Sequence, residues 1–159
     1  MDSKTINHIL KLNRRFYEFN AYDFSATRNA FWPGWKELAN VIREVFRGSH
    51  FSVLDIGSGN GRFYKFLVSE NLKPLNYLGL DSSKKLNAQA QRMNPKTAFI
   101  FFDFVKDAVS KINFDADLVI GNGIMHHIPN KQQRLGWLKN VFTSLRTRGI
   151  CVFTFWTDT

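Results

Sequence analysis

The sequence predicts an α/β fold in which parallel strands form one sheet and helices cover its two faces. Three observations carry that expectation. From residue 51 onward, short apolar runs alternate with stretches of helical periodicity, the pattern of strands joined by crossover helices. The first run, Val53-Leu-Asp-Ile-Gly-Ser-Gly-Asn-Gly61, ends in an acid and a glycine-dense turn, the form of a buried strand that meets a ligand at its carboxyl end. The chain has 159 residues, 44% of them hydrophobic and 16 of them Phe, enough for one domain with a real core and too apolar for disorder.

The elements follow in order. Ile6, Ile9, Leu10, Phe16 and Tyr17 recur at near-helical spacing, which predicts an amphipathic helix over residues 4–20 as a lid or flank. Residues 20–32 read as irregular. Trp32-Pro33-Gly34 opens a second helix, with Trp35, Leu38, Ile42 and Val45 as its apolar stripe and Gly48 closing it. Residues 51–56 form the first strand, 62–71 the helix after the glycine turn, 76–81 the second strand and 82–93 the next helix. The third strand covers 97–101 and ends near Asp103; the fourth covers 116–120. A long helix is expected over 130–146, burying Leu135, Leu138, Phe142 and Leu145, and a fifth strand over 150–156. No repeat or linker divides the chain, so residues 1–159 read as one domain: a helical flank over 1–50 and an α/β core over 51–159.

Charge narrows the partners. The formal net charge of +9 exceeds what solubility requires and points to an anionic partner, nucleic acid first. The cations gather at Arg62, Lys65, Lys73, Lys84, Lys85, Arg92 and Lys96, and again from Lys131 to Arg148, with no acid between Asp117 and Asp158. No apolar run reaches the length of a membrane span and the start lacks a secretory signal, so the expected location is the cytosol, with no membrane partner. The single cysteine, Cys151, falls in an expected core strand and reads as an inert thiol. No cluster of ligand-type side chains suggests a metal.

Gly57, Gly59 and Gly61 give a G-x-G-x-G spacing, and Arg62 breaks the longer dinucleotide fingerprint. With Asp55 two residues ahead, the segment resembles motif I of the class I S-adenosylmethionine-dependent methyltransferases. The resemblance implies a Rossmann-like sheet and S-adenosylmethionine as cofactor. Asp55 and the three glycines would then hold the methionine portion, the acid favouring its ammonium and the backbone N–H groups its carboxylate. Asp81 would accept the ribose hydroxyls, with Ser82 capping the next helix. Asp103, between Phe102 and Phe104, would accept from the adenine amino group while a ring covers the base. Gly121-Asn-Gly-Ile-Met-His-His-Ile-Pro129 would lie at the sulfonium end, with Asn122 against the cofactor. His126 and His127 are the catalytic candidates, at most one of them facing the site.

A narrower resemblance starts at Tyr17. Tyr17, Ala21, Phe24, Ser25, Thr27, Arg28, Trp32 and Pro33 are similar to the entry segment of the tRNA wobble-uridine carboxymethyl methyltransferases, the yeast-type enzyme and the AlkB-fused animal relative. It implies that Tyr17 and Arg28 close over the cofactor, Arg28 gripping its carboxylate; Trp32, read structurally, anchors the second helix. It also implies tRNA as substrate and a possible activator subunit. Members of the class continue past the fifth strand with a helix and two strands, so the sheet is expected to lack its last two strands. Either a partner or a second copy then covers the open edge, or the sequence is a truncated product of a longer gene. The reading is methyl transfer to tRNA at the carboxymethyl group of a modified wobble uridine. A small-molecule methyltransferase and a non-catalytic cofactor-fold module are the alternatives.

Overall fold

The computed structural model describes residues 2–28, 30–103 and 106–155. Three helices precede the sheet: α1 (Ser3–Phe19), α2 (Ala21–Ala26) and α3 (Gly34–Phe46). The core then alternates as β1 (Ser52–Ile56), α4 (Arg62–Ser69), β2 (Asn76–Asp81), α5 (Lys84–Met93), β3 (Ala98–Phe101), β4 (Ala116–Gly121), α6 (Lys131–Phe142) and β5 (Leu145–Phe153). The five strands form one sheet in the order β3-β2-β1-β4-β5, every neighbouring pair parallel. The chain leaves β1 in one direction to build β2 and β3 and returns to its other side for β4. The crevice between the tips of β1 and β4 is therefore the switch point where such sheets bind ligands.

Side-chain alternation divides the core into two layers. Val53, Leu118 and Ile120 point to the face covered by α3, α4 and α5, where Trp35, Ile42, Phe63, Phe66 and Ala90 are buried. Leu54, Ile56 and Val119 point to the other face, against Val109, Ile128, Trp137 and Val141.

Several elements differ from expectation. The segment after α1 is partly helical, because Asn20 ends one helix and its carbonyl accepts from the Phe24 N–H to start α2. On α3, Trp35, Leu38 and Ile42 are buried as predicted, together with Ala39, whereas Val45 is exposed. Ser83, not Ser82, caps α5: its hydroxyl accepts from the Leu86 N–H at 3.2 Å. The helix predicted to reach residue 146 stops at Phe142, where the Thr143 hydroxyl donates to the Asn140 carbonyl at 2.6 Å and the Ser144 N–H turns back to Val141. Its buried side is Trp137 and Val141, while Leu135 is 50% and Phe142 56% exposed. The bulk of Trp137 against Phe153 sets the helix rotation that a count of leucines misjudges. Strand β5 starts early because Leu145 already pairs with Ala116. Four residues then bulge opposite Asp117, with Arg148 in the left-handed region at φ 69, before Ile150 rejoins at Leu118.

Candidate active site

The tips of four strands and the N-terminal helices enclose one cavity. Its floor begins with Asp55, the fourth residue of β1, whose side chain is buried under the glycine turn. Tyr77 of β2 lies on the same face and donates its hydroxyl to Asp55 Oδ2 at 2.5 Å. The second oxygen, Oδ1, is buried with no partner, although Asp55 lines the cavity. Burial pushes the Asp55 carboxyl up to about 7, against the Tyr77 hydrogen bond and with help from the charge of Asp81.

The turn after β1 is fixed from within. The N–H groups of Gly57 and Ser58 both donate to the Leu80 carbonyl at the end of β2, at 2.8 and 3.0 Å. The Gly59 N–H donates to Asp81 Oδ2 at 2.9 Å. The Gly61 N–H donates to the Ser58 carbonyl at 3.0 Å, so the N–H groups of all three glycines are spent inside the protein, against the expectation that they meet a ligand carboxylate. Gly59 stands at φ 55 and its nearest outside neighbour would be 3.8 Å from a Cβ, at Phe24. Gly61 differs from the other two glycines because it does not line the cavity. It stands at φ 75, and a Cβ there would meet Asn94 Nδ2 at 2.7 Å and Phe99 Cζ at 2.9 Å. Its role is close packing of α4 against α5 and β3.

Asp81 ends β2 and is buried. Oδ1 accepts the Ser83 N–H at 2.8 Å, so the acid both braces the glycine turn through Gly59 and starts α5. Burial raises its carboxyl to about 6; the backbone donors Ser83 and Gly59 oppose the rise, and Glu18 adds to it. Ser82 and Asp103 also line the cavity. Asp103 forms an ion pair with Arg14 of α1, an unforeseen partner that ties the roof to the tip of β3. Phe104 lies outside the described residues.

Past β4, Asn122 lines the cavity and accepts from Trp35 Nε1 at 3.1 Å. Both His126 and His127 face the cavity, against the expectation that at most one would. They belong to a 3-10 turn (Met125–His127), whose tight rotation brings the rings to 4.0 Å between centroids instead of alternating them as a strand would. Burial lowers His127 to about 4, with the charge of His126 adding to the effect, and burial lowers His126 as well. His127 is therefore a neutral imidazole at pH 7.

The N-terminal helices form the roof. Tyr17 Oη lies 3.0 Å from His127 Nε2, joining α1 to the segment after β4. Glu18 accepts from the Ser83 hydroxyl at 2.7 Å, and Ser25 of α2 donates to Gln89 of α5. Arg28 faces the cavity with its guanidinium 4.9 Å from the centre of the Phe24 ring and, among the described residues, is in no ion pair. Arg62 is held between aromatic rings, 5.3 Å from Trp32 and 5.0 Å from Trp35. Trp32, expected only to anchor a helix, also lines the cavity.

These features match a known family. A family model described as a methyltransferase domain matches residues 54–151, from the first strand through the fifth. The chain belongs to the methyltransferase domain family. Among solved structures, the DhpI-SAM-HEP complex is similar over 91% of this chain at 20% identity and a TM-score of 0.68. The sugar N-methyltransferase KedS8 from Streptoalloteichus sp ATCC 53650 is similar over 85% at 22% identity and 0.68. Phosphoethanolamine N-methyltransferase 1 of Haemonchus contortus is similar over 96% at 20% identity and 0.68. The chain spans 64%, 53% and 33% of the lengths of those three. Curated proteins gave no match to this methyltransferase-family chain.

The methyltransferase cavity fits S-adenosylmethionine on its own chemistry. The unpartnered Asp55 Oδ1 is a buried acceptor that an ammonium group would complete, and Arg28 offers a guanidinium to a carboxylate on the same molecule. Asp81 and Ser82 present hydroxyl-binding groups one strand away, and the aromatic lining suits an uncharged base.

Proposed function

We propose that this chain transfers a methyl group from S-adenosylmethionine to RNA, with the carboxymethyl group of a modified wobble uridine in tRNA as acceptor. The observation that carries the donor is the unpartnered Asp55 Oδ1 at the floor of a cavity built from four strand tips. Bound S-adenosylmethionine supplies an electrophilic methyl group on a sulfonium, open to displacement by a nucleophile in line. Asp55 and Arg28 would hold the two charged ends of its amino-acid portion, and Asp81 and Ser82 its ribose. Asp103 would take the base, with Arg14 steadying the acid. Tyr17 and His127 close the end where the acceptor enters and exclude water from it.

Two features support RNA as acceptor: the +9 net charge and the entry segment from Tyr17 to Pro33 with its likeness to tRNA wobble-uridine enzymes. A carboxylate acceptor is ionised at neutral pH, so positioning suffices and no general base is required. Labelled methyl transfer from S-adenosylmethionine to bulk tRNA tests the proposal. Transfer confined to small molecules would remove the RNA acceptor, and failure of calorimetry to detect S-adenosylhomocysteine binding would remove the donor.

A second reading rests on His127. A neutral imidazole 3.0 Å from the Tyr17 hydroxyl can accept a proton from a nitrogen or hydroxyl nucleophile, which small amine acceptors would require. Its likeness in fold to a sugar N-methyltransferase is consistent with that acceptor class. Under this reading His127→Asn abolishes turnover, whereas a carboxylate acceptor retains most of it.

A further inference from the structure

A second concavity adjoins the cofactor cavity and shares Arg28, Asn60 and Arg62 with it. Its outer rim is Tyr22 of α2, Phe31, Lys65 of α4, and Arg92 with Met93 at the end of α5. All the charged residues lining it are basic: Arg28, Arg62, Lys65 and Arg92. Its large side chains are turned outward, Tyr22 80%, Phe31 40% and Met93 41% exposed. Phe31 packs on Trp35 and Phe66, so Tyr22 is the ring of the groove most open to a ligand.

The same alternation continues along α5. Lys85, Gln89 and Arg92 are spaced four and then three residues apart, so they share one helix face. Gln89 is bonded to Ser25, which fixes α2 beside that face. One turn back, Phe19 carries Lys85 6.0 Å and Arg15 5.9 Å from its ring centre. Cations and exposed rings thus follow one another from Phe19 to Phe31 across the outside of the roof. Glu18 is turned away, accepting from Ser83, and Asp23 does not line the groove.

A row of cations fits any polyanion, but a row of cations with exposed aromatic rings fits one whose flat bases lie between its phosphates. We infer that this groove is a docking track for a single strand of RNA, its phosphates on Lys65 and Arg92 and a base stacked on Tyr22. The inference rests on the proposal that the acceptor is RNA. Arg28 and Arg62 form the shared wall, so the track adjoins the cavity on the side where Arg28 would hold the donor's carboxylate.

The test uses fluorescence anisotropy with a labelled single-stranded oligouridylate over a salt series, with S-adenosylhomocysteine affinity measured on the same samples. For Lys65→Gln/Arg92→Gln the slope of log affinity against log salt should fall by about 1.4, the value for two lost phosphate contacts on a single strand. Tyr22→Ala should weaken binding about tenfold with little change in that slope. S-adenosylhomocysteine affinity should stay at the parent value in both, which also reports correct folding. The inference is overturned if both variants hold the oligonucleotide as the parent does. It is also overturned if the parent ignores it, or binds only anionic lipid vesicles. S-adenosylhomocysteine binding without RNA binding would leave the methyl donor standing, whereas absence of both in the parent would remove the donor assignment as well.

Discussion

Asp55 sits in an electrostatic position that either a proton or a ligand cation relieves. Its carboxyl is raised from 3.8 to about 7, so the empty protein holds that proton more tightly folded than unfolded. The stability this proton contributes is fully present below pH 3.8 and is lost as pH rises through about 7. Asp81, raised to about 6, acts in the same direction. His127 and His126, both lowered from 6.5 by burial, act in the opposite direction at more acid pH, so thermal melting of ligand-free protein between pH 6.5 and pH 8 should show stability falling with pH, and Asp55→Asn should flatten the fall. A parent curve that rises across this range would contradict the assignment. Ligand binding has the opposite sign. An ammonium group favours ionised Asp55, so S-adenosylhomocysteine affinity should increase toward pH 7. Calorimetry at pH 6 in buffers of different ionisation enthalpy should then detect proton release. Asp55→Asn removes a charge-assisted bond worth about 1.5 to 3 kcal/mol, a loss of roughly 10- to 100-fold in affinity. Gly61→Ala separates packing from binding. The left-handed conformation and the crowding at Asn94 and Phe99 should together cost about 2 to 4 kcal/mol by denaturant titration, while the folded fraction keeps its ligand affinity.

At the scale of elements, α1 is held differently from the rest. None of its residues is buried, and it is attached mainly through side chains at its C-terminal end: Arg14 to Asp103, Tyr17 to His127, Glu18 to Ser83, and the edge-on contact of Tyr17 with Phe24. A helix secured this way opens at low cost, whereas β1 and β4 are buried between two layers. Hydrogen exchange should therefore find α1 amides exchanging far faster than those of β1, with S-adenosylhomocysteine slowing α1 selectively. Equal protection of the two in ligand-free protein would refute this. Tyr17→Phe removes one hydrogen bond, about 1 kcal/mol, and should increase α1 exchange roughly fivefold. The same contrast explains what could be read from sequence. Buried parallel strands write themselves as apolar runs, so Ser52–Ile56 and Ala116–Gly121 were legible to within a residue. Asp55, Asp81, Asp103 and Asn122 were legible as strand-end residues because the topology gathers such tips. Arg14, Tyr77 and Trp35 were not, since each acts through a partner 22 to 89 positions distant, and no local pattern encodes that pairing. The rotation of α6 was missed because one Trp outweighs several leucines in deciding which side packs.

Across the whole molecule, the sheet has an apolar layer on each face, and the cavity lies where both layers meet the roof. Among the described residues no helix is long and apolar enough to cross a membrane, and none of their His, Cys, Asp or Glu side chains group in threes to hold a metal ion. Ligand binding should report on the entire fold, because the cavity draws on β1, β2, β4, α1 and α3 together. At a concentration one hundred times its dissociation constant, S-adenosylhomocysteine should add about 2.7 kcal/mol. For a chain of this length that is an increase of roughly 5 to 10 °C in melting temperature. A melting temperature unmoved by saturating ligand would mean that the cavity does not take it. Asp81 shows how closely architecture and chemistry are joined here. One carboxylate braces the glycine turn, starts α5 and lines the cavity. A descendant that had abandoned catalysis would still be compelled to keep this acid, so its survival in a lineage testifies to a working scaffold and says little about whether the enzyme still turns over.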